Sequence, residues 1–196
     1  MFEFNANTGA YVGSFTAPSP LVLTFGQDGD LYISGRDDAN VSRYDPKTGA
    51  VSTFVQAGSG GLVLAAGLAF GPDGNLYVNN TSITGATTDH ILEYSGQTGA
   101  FIKDFADPNT NGLTALAAIV LGPDNNFYVS GNTTMNVLEY NYNTGFVRTF
   151  VASDTGGLNS PVLGLAFTVP ESNMLSGGIL ALGLGALMKR KLEQKK

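Results

Sequence analysis

One block recurs three times along this chain. A repeat constrains a fold strongly, because every copy must adopt the same local structure and bury its faces against its neighbours. The block opens on an apolar run closed by Phe25-Gly26-Gln27-Asp28-Gly29, Phe70-Gly71-Pro72-Asp73-Gly74 and Leu121-Gly122-Pro123-Asp124-Asn125. A short aromatic run follows: Leu31-Tyr32-Ile33, Leu76-Tyr77-Val78 and Phe127-Tyr128-Val129. After a polar stretch come Val41-Ser42-Arg43-Tyr44, Ile91-Leu92-Glu93-Tyr94 and Val137-Leu138-Glu139-Tyr140, then a Thr-Gly pair at Thr48-Gly49, Thr98-Gly99 and Thr144-Gly145. Each block runs on to Phe54, Phe105 or Phe150, and a fourth pair, Thr8-Gly9, precedes the first block.

Each block reads as four short strands. Runs of four to six residues rich in Val, Ile, Tyr and Phe, bounded by Gly, Pro, Asn and Asp, are strand signals. Pro-Asp-Gly suits a tight turn: Pro sets φ, Asp bonds its own backbone and Gly accepts a positive φ. Four antiparallel strands per ~40–50 residues make the blade of an all-β propeller, whose two apolar faces must stack on neighbouring blades. Tyr32, Tyr77 and Tyr128 repeat with the blade and are expected in or near the core.

The order apolar run, Gly-Pro-Asp-Gly, Leu-Tyr-Val, gap, Tyr, Thr-Gly resembles the NHL, SMP-30 and streptogramin-lyase-like propellers. The resemblance covers residues 2–168. It implies a propeller and leaves function open, because this fold hosts lyases, lactonases and pure binding modules. WD40 blades are a poor match, since the chain has no Trp. The phase is informative. Phe2-Glu3-Phe4 matches a third strand, Tyr11–Thr16 a fourth and Val162–Phe167 a first. Three full blades are therefore expected, with partial blade strands at both ends, as in a fragment of a six-bladed propeller. A closing blade built from both termini would lack its second strand.

The end of the chain differs from the rest. Residues 1–168 hold five Lys and Arg against fourteen Asp and Glu, whereas residues 169–196 hold five against two. Val169, Pro170, Glu171 and Ser172 precede an uncharged stretch from Ser172 to Met188, which ends in Lys189, Arg190 and Lys191. Such a stretch is expected to form a hydrophobic helix about 25 Å long at 1.5 Å per residue, a thin membrane span. A helix packed on the propeller should show a polar face, and this one shows none. The order of motif, apolar helix and basic end resembles the PEP-CTERM sorting signal, whose pattern is Val-Pro-Glu-Pro; Ser172 departs from it at the last position. The resemblance implies an exosortase-type processing enzyme as partner. The basic end places residues 189–196 in the cytoplasm and the propeller outside the inner membrane. The expected route is export, anchoring in the inner membrane, then release to the cell envelope, surface or exterior. Met1-Phe2-Glu3-Phe4 is not an export signal, having no basic start and no long apolar run. With the blade phase, this leads to the expectation that sequence is missing upstream. The division is thus residues 1–168, propeller repeats, and 169–196, sorting signal.

Composition excludes much chemistry. With no Cys and one His, the chain has no cysteine nucleophile, no Cys-ligated zinc and no two-histidine mechanism. The acidic body lacks the basic patch that nucleic acid requires. In a propeller the first–second and third–fourth turns lie on one face. The second–third and fourth–first loops lie on the other, where ligands usually bind. The variable loops carry Asp37, Asp38, Asp89, His90, Asp107, Asn109 and Asp154, the candidate ligand-face residues. Oxygen donors of this kind suit Ca²⁺ or Mg²⁺, and the SMP-30 resemblance implies such an ion in a central channel. Read individually, the same acids are solvated loop residues, and those of the short repeated turns, such as Asp28 and Asp73, are turn formers. His90 aligns with Asn40 and Asn136, which suggests a structural polar residue that bonds a neighbouring loop. The lyase resemblance offers it a general acid or base role. No catalytic residue is assigned. The primary expectation is an exported, non-enzymatic binding module for an extracellular protein or polysaccharide. The alternative is a lactonase- or lyase-type propeller whose catalytic blades lie outside this chain.

Overall fold

A computed structural model describes residues 1–81 and 89–167, together with the backbone of residues 179–183 and 186–187. The first blade is β3 (Pro20–Phe25), β4 (Leu31–Gly35), β5 (Asn40–Asp45) and β6 (Ala50–Val55), after an isolated hairpin of β1 (Phe2–Phe4) and β2 (Tyr11–Ser14). The second is β7 (Ala65–Phe70), β8 (Leu76–Asn80), β9 (His90–Tyr94) and β10 (Phe101–Ala106). The third is β11 (Leu116–Leu121), β12 (Asn126–Gly131), β13 (Val137–Asn141) and β14 (Gly145–Val151). A final sheet holds β15 (Val162–Phe167), β16 (Ile179–Gly183) and β17 (Ala186–Leu187). All pairing is antiparallel, and each full blade runs in sequence order from first to fourth strand. The all-β architecture of four-stranded blades stands as the repeat predicts.

The turns follow from their residues. Asp28, Asp73 and Asp124 each accept, through Oδ1, the backbone N–H two residues on at 3.1 Å. Gly29 and Gly74 then take φ of 83° and 79°, and Asn125 takes 62° in the third blade, the left-handed conformation that Asn tolerates best after Gly. The Gly before the aspartate has a different reason. A Cβ on Gly26, Gly71 or Gly122 would lie 2.6, 2.7 or 2.6 Å from the ring of Tyr32, Tyr77 or Tyr128.

Those tyrosines knit the blades. Tyr32 meets Phe54 of its own fourth strand and Phe70 of the next blade edge-on, with ring centroids 4.8 Å apart in both cases. Tyr77 meets Phe105 edge-on and Phe127 at a tilt of 47°, and Tyr128 meets Phe150 and Phe167 edge-on. Such aromatic pairs contribute ~0.5–1.5 kcal/mol each beyond their area burial. The middle strands β4, β8 and β9 are covered on both faces and buried almost throughout; the outer strands β6, β10 and β14 are largely exposed.

One expectation is corrected. Residues 179–183 and 186–187, placed in the hydrophobic helix by sequence, are strands, and β16 pairs with β15 from Val162↔Gly183 to Phe167↔Ile179. The supposed gap at the second strand of this last sheet is thereby filled. The physical reason is the edge of β15. A row of unpaired backbone N–H and C=O groups is a template for an adjacent uncharged, Pro-free apolar segment. Among the described residues no helix is long and apolar enough to cross a membrane.

Candidate functional site

The variable loops meet at one end of the blades. A repeated backbone bond starts each junction: Arg36 N–H donates to Ser19 O at 2.8 Å, Thr81 N–H to Leu64 O at 3.1 Å and Asn132 N–H to Ala115 O at 2.8 Å. Different side chains then hold the links into the second and third blades.

Asp89, just before β9, is buried. Its Oδ1 accepts from the Thr81 hydroxyl at 2.6 Å, its Oδ2 from the Ala115 N–H at 2.7 Å, and its backbone carbonyl from Asn109 Nδ2 at 3.0 Å. Asp89 thus ties the second blade to the link entering the third, with both carboxylate oxygens engaged. Asp107 caps the short 3-10 turn Pro108–Asn111, accepting from Asn109 N–H and Nδ2, each at 3.0 Å. Asn109 is held from both sides by these bonds.

His90 starts β9 opposite Asn80, and its Nδ1 lies 2.5 Å from Asp104 Oδ2 on the neighbouring strand β10. It faces its own blade. Asn136, at the aligned position, does reach across, donating from Nδ2 to Gly112 O at 3.2 Å. Asp37 and Asp38 stand exposed on the turn between β4 and β5, and Asp154 stands exposed in a left-handed conformation (φ 60°) before the turn Thr155–Gly157. The structure therefore brings Asp89, Asp107 and Asn109 together. Asp37, Asp38 and Asp154 sit on other loops.

These residues do not fit a channel-bound Ca²⁺ or Mg²⁺. No three His, Asp or Glu side chains converge on one point among the described residues. The one buried acid of the cluster has both oxygens committed to Thr81 and Ala115. The sorting motif Val169–Ser172 and the basic residues Lys189, Arg190 and Lys191 lie outside the described residues, as does most of the long second–third loop of the second blade.

The sequence reading missed Asn80, which replaces Gly35 and Gly131 of the other blades. It is buried; its Oδ1 accepts from Val63 and Leu64 N–H at 2.8 and 3.3 Å, and its Nδ2 donates to Gly61 O at 3.1 Å. The departure from Gly at a repeat position was the available signal.

The opposite, short-turn end holds a cleft of about 640 Å³ between the first two blades, bordered by Asp28, Tyr32, Arg43, Asp73, Asn75 and Gln97. Asp28, Asp73 and Asp124 accept the hydroxyls of Tyr32, Tyr77 and Tyr128 at 2.9, 2.9 and 2.8 Å. Burial first, then these aspartates, push all three phenols well above the ordinary tyrosine range. Tyr140, in the third blade, is pushed up to about 12, chiefly by burial.

No family model matches the chain, and no curated protein matches it. Solved structures do. A virginiamycin B lyase from Staphylococcus aureus, in a catalytically inactive form with quinupristin, superposes with a TM-score of 0.54 at 13% identity, over 70% of this chain and 43% of that one. A gluconolactonase from Xanthomonas campestris gives 0.54 at 16% identity, over 77% and 56%. Hydrazine synthase from Kuenenia stuttgartiensis gives 0.55 at 22% identity, over 90% and 49%. The chain spans about half the length of these structures. At such identities the likeness is one of fold, and the fold is that of the β-propellers that lyases and lactonases also use.

Proposed function

We propose that the protein is an exported β-propeller, sorted to the cell envelope or surface, that binds an extracellular protein or polysaccharide without catalysis. The observation that carries this reading is the contrast between the two ends of the blades. Short turns of one design close one end. The other end presents loops that differ from blade to blade, with Asp37 and Asp38 exposed on one loop, Asp107 on a second and Asp154 on a third. Separate exposed groups on a rigid scaffold are the material of a recognition surface. The sorting part rests on the order Val169-Pro170-Glu171-Ser172, uncharged stretch, Lys189-Arg190-Lys191. It calls for an exosortase-type enzyme and the inner membrane as partners, with release of the tail near Pro170. The second reading, a lactonase or lyase with a divalent ion, is favoured by the propellers of those activities among the similar structures. It needs catalytic groups outside this chain.

Retention on columns of envelope polysaccharides and extracellular proteins tests the binding reading, with lactone turnover measured in Ca²⁺ and Mg²⁺. Retention lost in Asp37→Ala/Asp38→Ala/Asp107→Ala, without turnover by either protein, supports it. Lactone turnover by the wild-type chain sinks it in favour of the enzyme. For sorting, mass spectrometry of the envelope fraction is expected to find a species ending near Pro170. An uncut, soluble cytoplasmic chain overturns that part.

A further inference from the structure

The cleft of about 640 Å³ at the turn end lies between two blades that the chain itself supplies. One wall is the Gln27–Asp28 turn with Tyr32 and Arg43; the other is Phe70 with the turns Asp73–Asn75 and Ser95–Gln97. Its opening is encoded by one residue. Gly96 stands two places after Tyr94, where the third blade has Tyr142 two places after Tyr140. Tyr142 packs against the cluster of Tyr77, Phe127 and Tyr140 between the second and third blades. Gly96 brings no ring to the first junction, and it can carry no side chain, because a Cβ there would run into the Gly74 carbonyl oxygen. The first junction is thus open at the place where a phenol closes the second.

The walls of this opening are chiefly polar. Arg43 commits Nε to Asp30 at 2.6 Å and Nη2 to Asp28 at 3.0 Å. A guanidinium carries five N–H donors, so others remain for the cleft. Asp28 accepts from Asp30 N–H, the Tyr32 hydroxyl and Arg43. Asp73 accepts from Asn75 N–H, Asn75 Nδ2 and the Tyr77 hydroxyl. An ionised carboxylate takes about four such bonds, so each keeps an acceptor site. The side chains of Gln27 and Gln97 stand exposed at opposite walls. Phe70, half-buried and edge-on to Tyr32, supplies an apolar patch among them.

We propose that this cleft binds a neutral hexopyranose unit of a polysaccharide. A pyranose is a six-membered ring, as is the phenol that closes the next junction. Its C–H face suits the Phe70 ring. Its hydroxyls donate to Asp28 and Asp73 and accept from Arg43, Gln27 and Gln97. A purely aromatic guest would leave these groups without partners. Three carboxylates, Asp28, Asp30 and Asp73, face one guanidinium, which disfavours uronic acids and sugar phosphates. The volume falls within the ~300–1,000 Å³ of small-molecule sites. The inference rests on the polysaccharide reading above and places a contact at the turn end, away from Asp37, Asp38 and Asp107.

Amide NMR of the full 196-residue chain tests it, during titration with methyl glucoside, methyl mannoside, methyl galactoside, maltose and cellobiose. At least one sugar is expected to move the amides of Gln27–Asp30 and Ser95–Gln97, with a Kd of about 1–5 mM, ordinary for a ligand of this size. Gln27→Ala/Gln97→Ala changes two exposed side chains and is expected to weaken binding about tenfold with an unaltered melting curve. Arg43→Met is expected to weaken it further; where that variant melts early, the glutamine pair decides. Asn143→Ala, at the position of Gln97 in the third blade, leaves the Kd unchanged. So does Asp37→Ala/Asp38→Ala/Asp107→Ala, even where its column retention is lost, so that the turn-end site and the loop-end surface stand or fall separately. No shift by any of the five sugars at ~50 mM, well above that Kd, overturns the proposal. So does binding of glucuronate or p-cresol as tight as that of the sugars, or a Kd indifferent to the glutamine pair.

Discussion

At the turn end, the three full blades repeat one device: an aspartate that closes a turn and accepts a tyrosine hydroxyl, the ring of which spans two blades. At the loop end, the same backbone bond recurs, but the side chains differ: Asn80 holds the link into the second blade, and Asp89 and Asn136 hold the link into the third. Both ends must satisfy buried polar groups between neighbouring blades. The turn end does so with residues close in sequence, as in Asp73 and Tyr77. The loop end does so over separations of 26 residues between Asp89 and Ala115, or 24 between Asn136 and Gly112. Local pairs can be copied with the repeat, whereas long-range ones depend on the length of each loop.

The comparison breaks most completely with pH. Folding raises the pKa values of Tyr32, Tyr77 and Tyr128 well above the ordinary 10.0, by burial first and then by their aspartates. The unfolded chain therefore ionises first. The stability from the neutral phenols is complete below pH 10 and is lost progressively as pH climbs above it. Thermal melts from pH 8 to 12.5, with phenolate absorbance followed alongside, should show the two transitions together. Ionisation of the buried phenols without loss of melting temperature would refute the turn-end account. Next in size, Tyr77→Ala should cost about 3–5 kcal/mol in denaturant unfolding, because its ring fills the junction of two blades.

At the loop end, Asp89→Ala should cost about 1.5–3 kcal/mol, by leaving the Ala115 N–H and Thr81 hydroxyl unpaired. A cost below ~0.5 kcal/mol, the usual range of surface changes, would mean that the loop end is held elsewhere. A finer test uses the first blade. There Asp30 and Arg43 form an ion pair at 2.6 Å, where the other blades use Asn75 with Glu93–Lys103 and Asn126 with Glu139–Arg148. Arg43→Glu should lose about 1–2 kcal/mol, since Asp30 is buried while Arg43 is partly exposed and the pair is partly screened. Adding Asp30→Asn and Ser52→Lys should regain most of it. Asp37→Ala should stay within about 0.5 kcal/mol, as expected of an exposed loop acid.

The blades and their turns are legible in sequence because Gly-Pro-Asp-Gly and Thr-Gly act through nearest neighbours. The roles of Asp89 and Asn80 are not, because their partners lie in links whose path the repeat does not specify. Asp89 looks like a candidate ligand in the sequence and is a clip between blades in the structure. The run Ile179–Gly183 reads as helix because a uniformly apolar stretch has no period, and the edge of β15 that it pairs with is invisible until the sheet is built.

Tyr77 finds its second ring at Phe127 on β12, whereas Tyr32 finds it at Phe70 on β7. In the third blade Leu121 and Phe127 have exchanged the places of Phe70 and Leu76. What persists from blade to blade is one ring against one tyrosine at each junction, carried by whichever strand supplies it. A third blade spliced directly after the first would still bring Phe127 to Tyr32. At this contact the order of the blades can be permuted without opening a hole between them.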